Sequence, residues 1–188
     1  MIEENKFSAK SLTFLYKMKY LNRYEAYPRI TYETVAEHSY FVAFYTMLIC
    51  DKLGLADKIS NVAIKIALNH DVPEIILSDI PHDSKEVLND LGVDMKGIEE
   101  RIMLSLFPEY SMLVHSFEQQ GDMPILPAII VKAADALSVI QYCLHELSLG
   151  NSNMKPIYES ALARYRAVLY VLNNRFGFDV TEFDAIIE

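Results

Sequence analysis

At 188 residues the chain has the size of one domain with a sizeable core, and 52% hydrophobic with 23% charged residues is a globular composition. A formal net charge of −9 argues against a broad nucleic-acid footprint, which needs a basic face, while a local basic or metal site still admits a small anionic substrate. Cys50 and Cys143 sit in apolar helical patterns and read as buried reduced thiols. The acidic N-terminus shows no apolar signal segment, and the longest apolar run, 40–50, ends at Asp51, short of a bilayer span. The expectation is a cytoplasmic protein without nucleic-acid or membrane contact.

Residues 8–20 predict an amphipathic helix with Leu12, Leu15, Tyr16 and Met18 at helical spacing. A connection follows through Arg23-Tyr24 and Tyr27-Pro28-Arg29. Two arginines among tyrosines can hold an anion or a flat ring, and equally make a solvated loop. Thr34 and Glu37 form a capping box, so the next helix starts near Val35 and runs to about Leu53, with His38 in or just after its first turn. Gly54 stops that helix. Residues 58–70 predict a third, whose stripe Ile59, Val62, Ala63, Ile66, Ala67 and His70 is apolar except for its last member. A buried histidine needs a hydrogen bond or a ligand, and Asp71 stands next to it. Pro73 is placed to open a short turn, and Glu74 follows His70 by four and Asp71 by three. Asp79-Ile80-Pro81 forces an extended or turned backbone.

Helices are expected at 82–91, 95–107 and 109–120, the last two broken at Pro108, with a loop at 121–124. His115 carries no partner pattern and reads as structural or exposed. In 125–149, Asp135 is surrounded along the helix by Ile, Val, Ala and Leu. A buried carboxylate without a partner costs several kcal/mol, which favours a cation ligand there over a surface pair with Lys132. A long helix at 154–175 and a short one at 179–187 close the chain. Without strand alternation or repeats, the expected fold is all-α with one core, a single domain over 1–188.

Each polar residue alone has a bland reading, but their order does not. His38 is followed after 32 residues by His70-Asp71, and then by Asp135 on a late apolar helix. Three blocks carry a resemblance: Arg23-Tyr24 with Val35-Ala36-Glu37-His38-Ser39; His70-Asp71-Val72-Pro73-Glu74 with Asp79-Ile80-Pro81 and Lys85; and Lys132-Ala133-Ala134-Asp135-Ala136-Leu137 with Glu146-Leu147 and Gly150-Asn151. Over about residues 8–159 the chain resembles the HD-domain metal-dependent phosphohydrolases, in particular the bacterial 5′-deoxynucleotidase (YfbR-type) branch. It departs at Tyr24, where that branch has tryptophan.

The resemblance implies an all-α HD-domain helical bundle with a metal site in a central cleft. It implies that His38, His70, Asp71 and Asp135 bind one divalent cation, Co²⁺, Mn²⁺, Zn²⁺ or Mg²⁺. Glu74 and Asp79 would share the acid and base work, Glu74 nearer the water and Asp79 nearer the leaving group or sugar. Arg23, Tyr24, Asp79 and Lys85 would bind substrate. The implied reaction converts deoxynucleoside 5′-monophosphates to deoxynucleoside and phosphate. Small HD relatives that remove tripolyphosphate from a dNTP are the alternative, and a non-catalytic nucleotide-binding HD protein is a second one, which the presence of both Glu74 and Asp79 disfavours. A homodimer is the family expectation, with Tyr158, Tyr165 and Tyr170 on the last long helix serving either a dimer face or the core.

Overall fold

The helix that organises the core is α7, Ile125–Ser148. In the computed structural model, which describes residues 9–107 and 125–185, it packs against three others: α2 (Val35–Lys52), α3 (Asp57–Asn69) and α8 (Lys155–Phe176). A helix apolar around most of its circumference belongs in an interior. Ile130, Ala133, Ala134, Ile140 and Cys143 are all fully buried. Its stretch Leu126–Ser148 is long and apolar enough to cross a bilayer, yet 72% of that window is buried inside the fold, so core packing accounts for its composition. Cys50 and Cys143 are buried free thiols, as expected.

The remaining helices are α1 (Ala9–Tyr16), α4 (Glu74–Leu77), α5 (His82–Asp90), α6 (Met95–Leu106) and α9 (Thr181–Ala185), with 3₁₀ turns at Lys17–Tyr20 and Ser152–Met154. No strand occurs among the described residues; one isolated bridge joins Asn22 to Thr34. The all-α expectation holds. The expected helix 109–120, His115 and the loop 121–124 lie outside the described residues. The first helix is shorter than expected because the chain tightens into a 3₁₀ turn at Lys17, and of its stripe Leu12 and Leu15 stay 49% and 36% exposed while Met18 is buried.

Local sequence sets these ends. The Thr34 amide donates to Glu37 Oε2 at 2.8 Å and the Glu37 amide donates to Thr34 Oγ1 at 3.2 Å, closing the capping box that starts α2. Gly177, at φ 72°, terminates α8 in the left-handed region that favours glycine. The buried face of α8 is Ala161, Tyr165, Leu169 and Leu172. Tyr165 is therefore core and Tyr158 packs against it half-buried; of the three tyrosines considered for a dimer face only Tyr170 is exposed. A second, smaller core of Met18, Val35, Val72 and Phe107 ties the 3₁₀ turn to the start of α2 and to the chain just after Asp71. This cluster fixes the His70-Asp71 corner against the bundle.

Candidate active site

Three elements deliver the histidines and carboxylates. His38 lies in the first turn of α2, His70 caps the C-terminus of α3, and Asp135 comes from the middle of α7. His38, His70 and Asp71 offer ligand atoms that all lie within 4.8 Å of one another. The two imidazole rings stand 5.4 Å apart between centroids. Asp71 Oδ2 is 3.2 Å from His70 Nε2 and 3.5 Å from His38 Nε2. Asp135 joins through His38, its Oδ1 3.1 Å from the same Nε2. Asp135 differs from expectation in burial: its side chain is 32% exposed, because it opens into the cleft.

The histidines are oriented from behind. His38 Nδ1 lies 3.1 Å from Ser138 Oγ, and His70 Nδ1 lies 2.7 Å from the Ala67 carbonyl oxygen. With Nδ1–H donating to the Ala67 carbonyl, His70 turns the lone pair of Nε2 forward, and Ser138 can do the same for His38. Both Nε2 atoms are buried without a hydrogen-bond partner among the described residues. Two imidazole nitrogens facing two carboxylates make a donor set that fits a divalent cation.

Burial and the neighbouring carboxylates set the charges of this cluster. Burial, helped by the charge of Arg23, pushes His38 down to about 4. Burial also works against a charged His70, but Asp71 outweighs it and lifts His70 to about 9. Burial opposes the charged forms of Asp71 and Asp135 as well, and the adjacent histidines win, holding Asp71 far below the carboxylate range and Asp135 at about 2.

The cleft in front of this cluster has a volume of about 250 Å³. Every expected catalytic or substrate residue lines it: Arg23, Tyr24, Glu74, Asp79 and Lys85, together with Asp71 and Asp135. Glu74 is buried, and burial with the charges of Asp71 and Asp79 raises it to about 9. Lys85 Nζ sits 3.6 Å from Glu74 Oε1 and 3.0 Å from Glu99 Oε1, so it is a braced cation rather than a solvated helix-start lysine. Asp79 accepts from the Tyr24 amide at 3.1 Å, and burial raises its carboxyl. Tyr24 and Ser78, on either side of this bond, both have positive φ, 60° and 63°, an uncommon setting for residues with a side chain.

The loop that carries Arg23 is held from a distance. Glu146, fully buried near the end of α7, accepts from the Ile30 amide at 2.9 Å, the Thr31 amide at 2.6 Å and Thr31 Oγ1 at 2.5 Å. Asn151 Nδ2 donates to Glu146 Oε2 at 2.7 Å and to the Pro28 carbonyl at 2.9 Å. The Tyr142 hydroxyl donates to the Thr31 carbonyl at 3.0 Å, and its ring stacks on Tyr24 at 4.4 Å. Tyr24 is only 8% exposed, so it offers the cleft a narrow surface, with the Arg23 guanidinium 5.1 Å from its ring centre. Arg23 also pairs with Glu33 at 3.4 Å, and Arg29 braces the loop by donating to the Tyr24 carbonyl at 2.8 Å.

Residue-by-residue reading missed Ser138, Glu33 and Tyr142, and gave no role to Glu146 or Asn151. Glu146 had a signal: a carboxylate in an apolar helix, the same argument that singled out Asp135.

The chain's similarities to known proteins fall on this architecture. The family described as 5′-deoxynucleotidase YfbR-like matches residues 10–176. A 5′-deoxynucleotidase of Vibrio vulnificus is 31% identical, over 81% of this chain and 79% of its own length. A 5′-deoxynucleotidase of Photorhabdus temperata is also 31% identical, over 73% of this chain and 74% of its own. Among solved structures, a conserved hypothetical protein of Pyrococcus furiosus superposes with a TM-score of 0.67 at 26% identity, covering 85% of this chain and 90% of that one. A cyanophage S-2L HD phosphohydrolase, bound to dA and one catalytic Zn²⁺, shares the fold at a TM-score of 0.58 and 18% identity, over 87% and 94% of the two chains. The all-α bundle is an HD-domain fold, and the chain belongs to the YfbR-like 5′-deoxynucleotidase family.

Proposed function

We propose that the protein hydrolyses deoxynucleoside 5′-monophosphates to deoxynucleoside and phosphate. The observation that carries this reading is the convergence in one cleft of the His/Asp cluster, the buried carboxylate Glu74 and the braced cations Arg23 and Lys85. Its membership of the 5′-deoxynucleotidase family supports it.

His38, His70, Asp71 and Asp135 would hold one divalent cation, Co²⁺, Mn²⁺, Zn²⁺ or Mg²⁺. When bound, such an ion polarises a phosphoryl oxygen and acidifies water. Arg23 presents a planar fork to the phosphate, with Tyr24 and Glu33 fixing its direction. Lys85 neutralises negative charge beside Glu74. Glu74, raised by burial and by the charges of Asp71 and Asp79, would ionise once a cation offsets those charges and then take the proton of the attacking water; the new P–O bond forms as the bond to O5′ breaks, and a proton is returned to O5′. Asp79, tied to the Tyr24 amide, serves the departing 5′ oxygen or the sugar. A single HD domain over 1–188, working as a cytoplasmic homodimer, completes the reading; sedimentation of the purified protein tests the dimer.

The direct test loads the protein with each metal in turn and resolves the products from dNMPs, NMPs and dNTPs. Orthophosphate from dNMPs is expected. Tripolyphosphate from dNTPs would replace the reading with a triphosphohydrolase, and metal binding without turnover would leave a nucleotide-binding protein.

A further inference from the structure

Three cations line the cleft, and two of them are committed. Arg23 pairs with Glu33, and Lys85 pairs with Glu99 and Glu74. The third, Arg164, comes from α8 and has no carboxylate within ion-pair distance among the described residues, and its Nε is buried without a hydrogen-bond partner. With this Nε buried and no carboxylate beside it among the described residues, Arg164 has donors to offer a ligand in the cleft. It lies on the same helical face as Ser160 and Ile157, four and seven residues earlier, and all three line the cleft with Pro156 and Val139.

This wall differs in chemistry from the metal end. Its aliphatic side chains would strip water from a flat ring at little cost, whereas a strongly hydrated phosphate gains nothing from them. The phosphate already has the His/Asp cluster and Arg23. A weakly hydrated, planar guanidinium beside apolar side chains suits an aromatic base that carries two adjacent acceptors. On a free nucleotide guanine offers that pair at O6 and N7 and cytosine at N3 and O2, whereas adenine and thymine offer no two adjacent acceptors.

We infer that the α8 wall of the cleft reads the nucleobase, with Arg164 donating to guanine O6 and N7 or to cytosine N3 and O2 and so favouring dGMP and dCMP over dAMP and dTMP. This rests on the deoxynucleotidase reading above.

The experiment compares kcat/KM for dGMP, 7-deaza-dGMP, dAMP, dCMP, dTMP and base-free 2-deoxyribose 5-phosphate, using metal-loaded wild-type protein and the variants Arg164→Gln and Arg164→Lys. Wild type should prefer dGMP and dCMP to dAMP and dTMP, and removing N7 alone from dGMP should lower kcat/KM by roughly tenfold, the scale of a bidentate arginine–guanine contact. Arg164→Gln should erase the preference for dGMP and dCMP through KM and leave 2-deoxyribose 5-phosphate hydrolysis within about twofold, since a base-free substrate makes no such contact. Arg164→Lys should rescue only part of it, because a point charge lacks the fork. Equal rates on all four dNMPs, indifference to N7, or an equal loss on the base-free substrate would each overturn the assignment. Because 7-deaza-dGMP is read on wild type, a variant that does not fold leaves the test standing. Absence of hydrolysis of every monophosphate would strike the deoxynucleotidase reading instead.

Discussion

The His/Asp end of the cleft and its arginine rim are built in opposite ways. At the His/Asp end, His70 and Asp71 are sequence neighbours, His70 is oriented by a carbonyl three residues back, and Val72 locks the corner into a small core. At the rim, Arg23 sits in a loop whose position depends on Glu146, Asn151 and Tyr142, more than 100 residues away in sequence. The first is local geometry anchored on helices. The second is a set of long-range hydrogen bonds closed by one buried carboxylate. A site of this kind keeps its chemistry if the rim is loosened, and loses it if the corner is disturbed.

The largest expected effects test the corner. Asp71→Ala should abolish metal uptake and phosphate release together, as read by metal analysis of the dialysed protein and by turnover. Glu74→Ala should keep the metal and lower kcat by roughly 10²–10⁴-fold, the range of a removed general acid or base. Full activity in that variant would take Glu74 out of the mechanism. Next in size is Ser138→Ala, which removes the group behind His38 Nδ1. Its metal affinity should fall about 10–100-fold while thermal stability barely changes, the usual result of losing a residue that orients a ligand. Titration with Mn²⁺ or Zn²⁺ reads this directly, and unaltered affinity would mean that His38 needs no orienting partner.

Glu146→Ala probes the rim. It strands the Ile30 and Thr31 amides and should cost about 2 kcal/mol in a urea titration. With Arg23 freed, KM should rise about tenfold while kcat changes little, a loss of uniform binding; a collapse of kcat would show that the rim and the corner are not separable. The clamp also has a pH signature. Hydrogen bonds from Asn151, Thr31 and Ile30 overcome burial and hold Glu146 at about 2 against an ordinary 4.5. Its contribution to stability is complete above 4.5 and fades as the pH falls toward 2, so Glu146→Gln should flatten that stretch of the stability curve. The smallest effect belongs to Lys132→Ala. Lys132 is exposed, and Asp135 faces His38 instead, so stability should move by less than about 0.5 kcal/mol and activity not at all.

By itself the sequence determined most of the described helices, because apolar periodicity, the Thr34/Glu37 box and the Gly54 stop act within a few residues. It also placed His38, His70-Asp71 and Asp135 in order, and those residue types at helix ends limit the chemistry to cation binding or buried pairing. Burial was less legible. Asp135 in its apolar helix reads as enclosed yet opens to the cleft, while Glu146 in the same helix is fully buried and structural. Helical spacing says which residues share a face, not whether that face meets a core, a loop or a cavity. Only the tertiary structure decided that Ser138 stands behind His38 and that the rim loop hangs from Glu146. Those contacts join segments separated by about a hundred residues or more, and no local pattern encodes a partner that far along the chain.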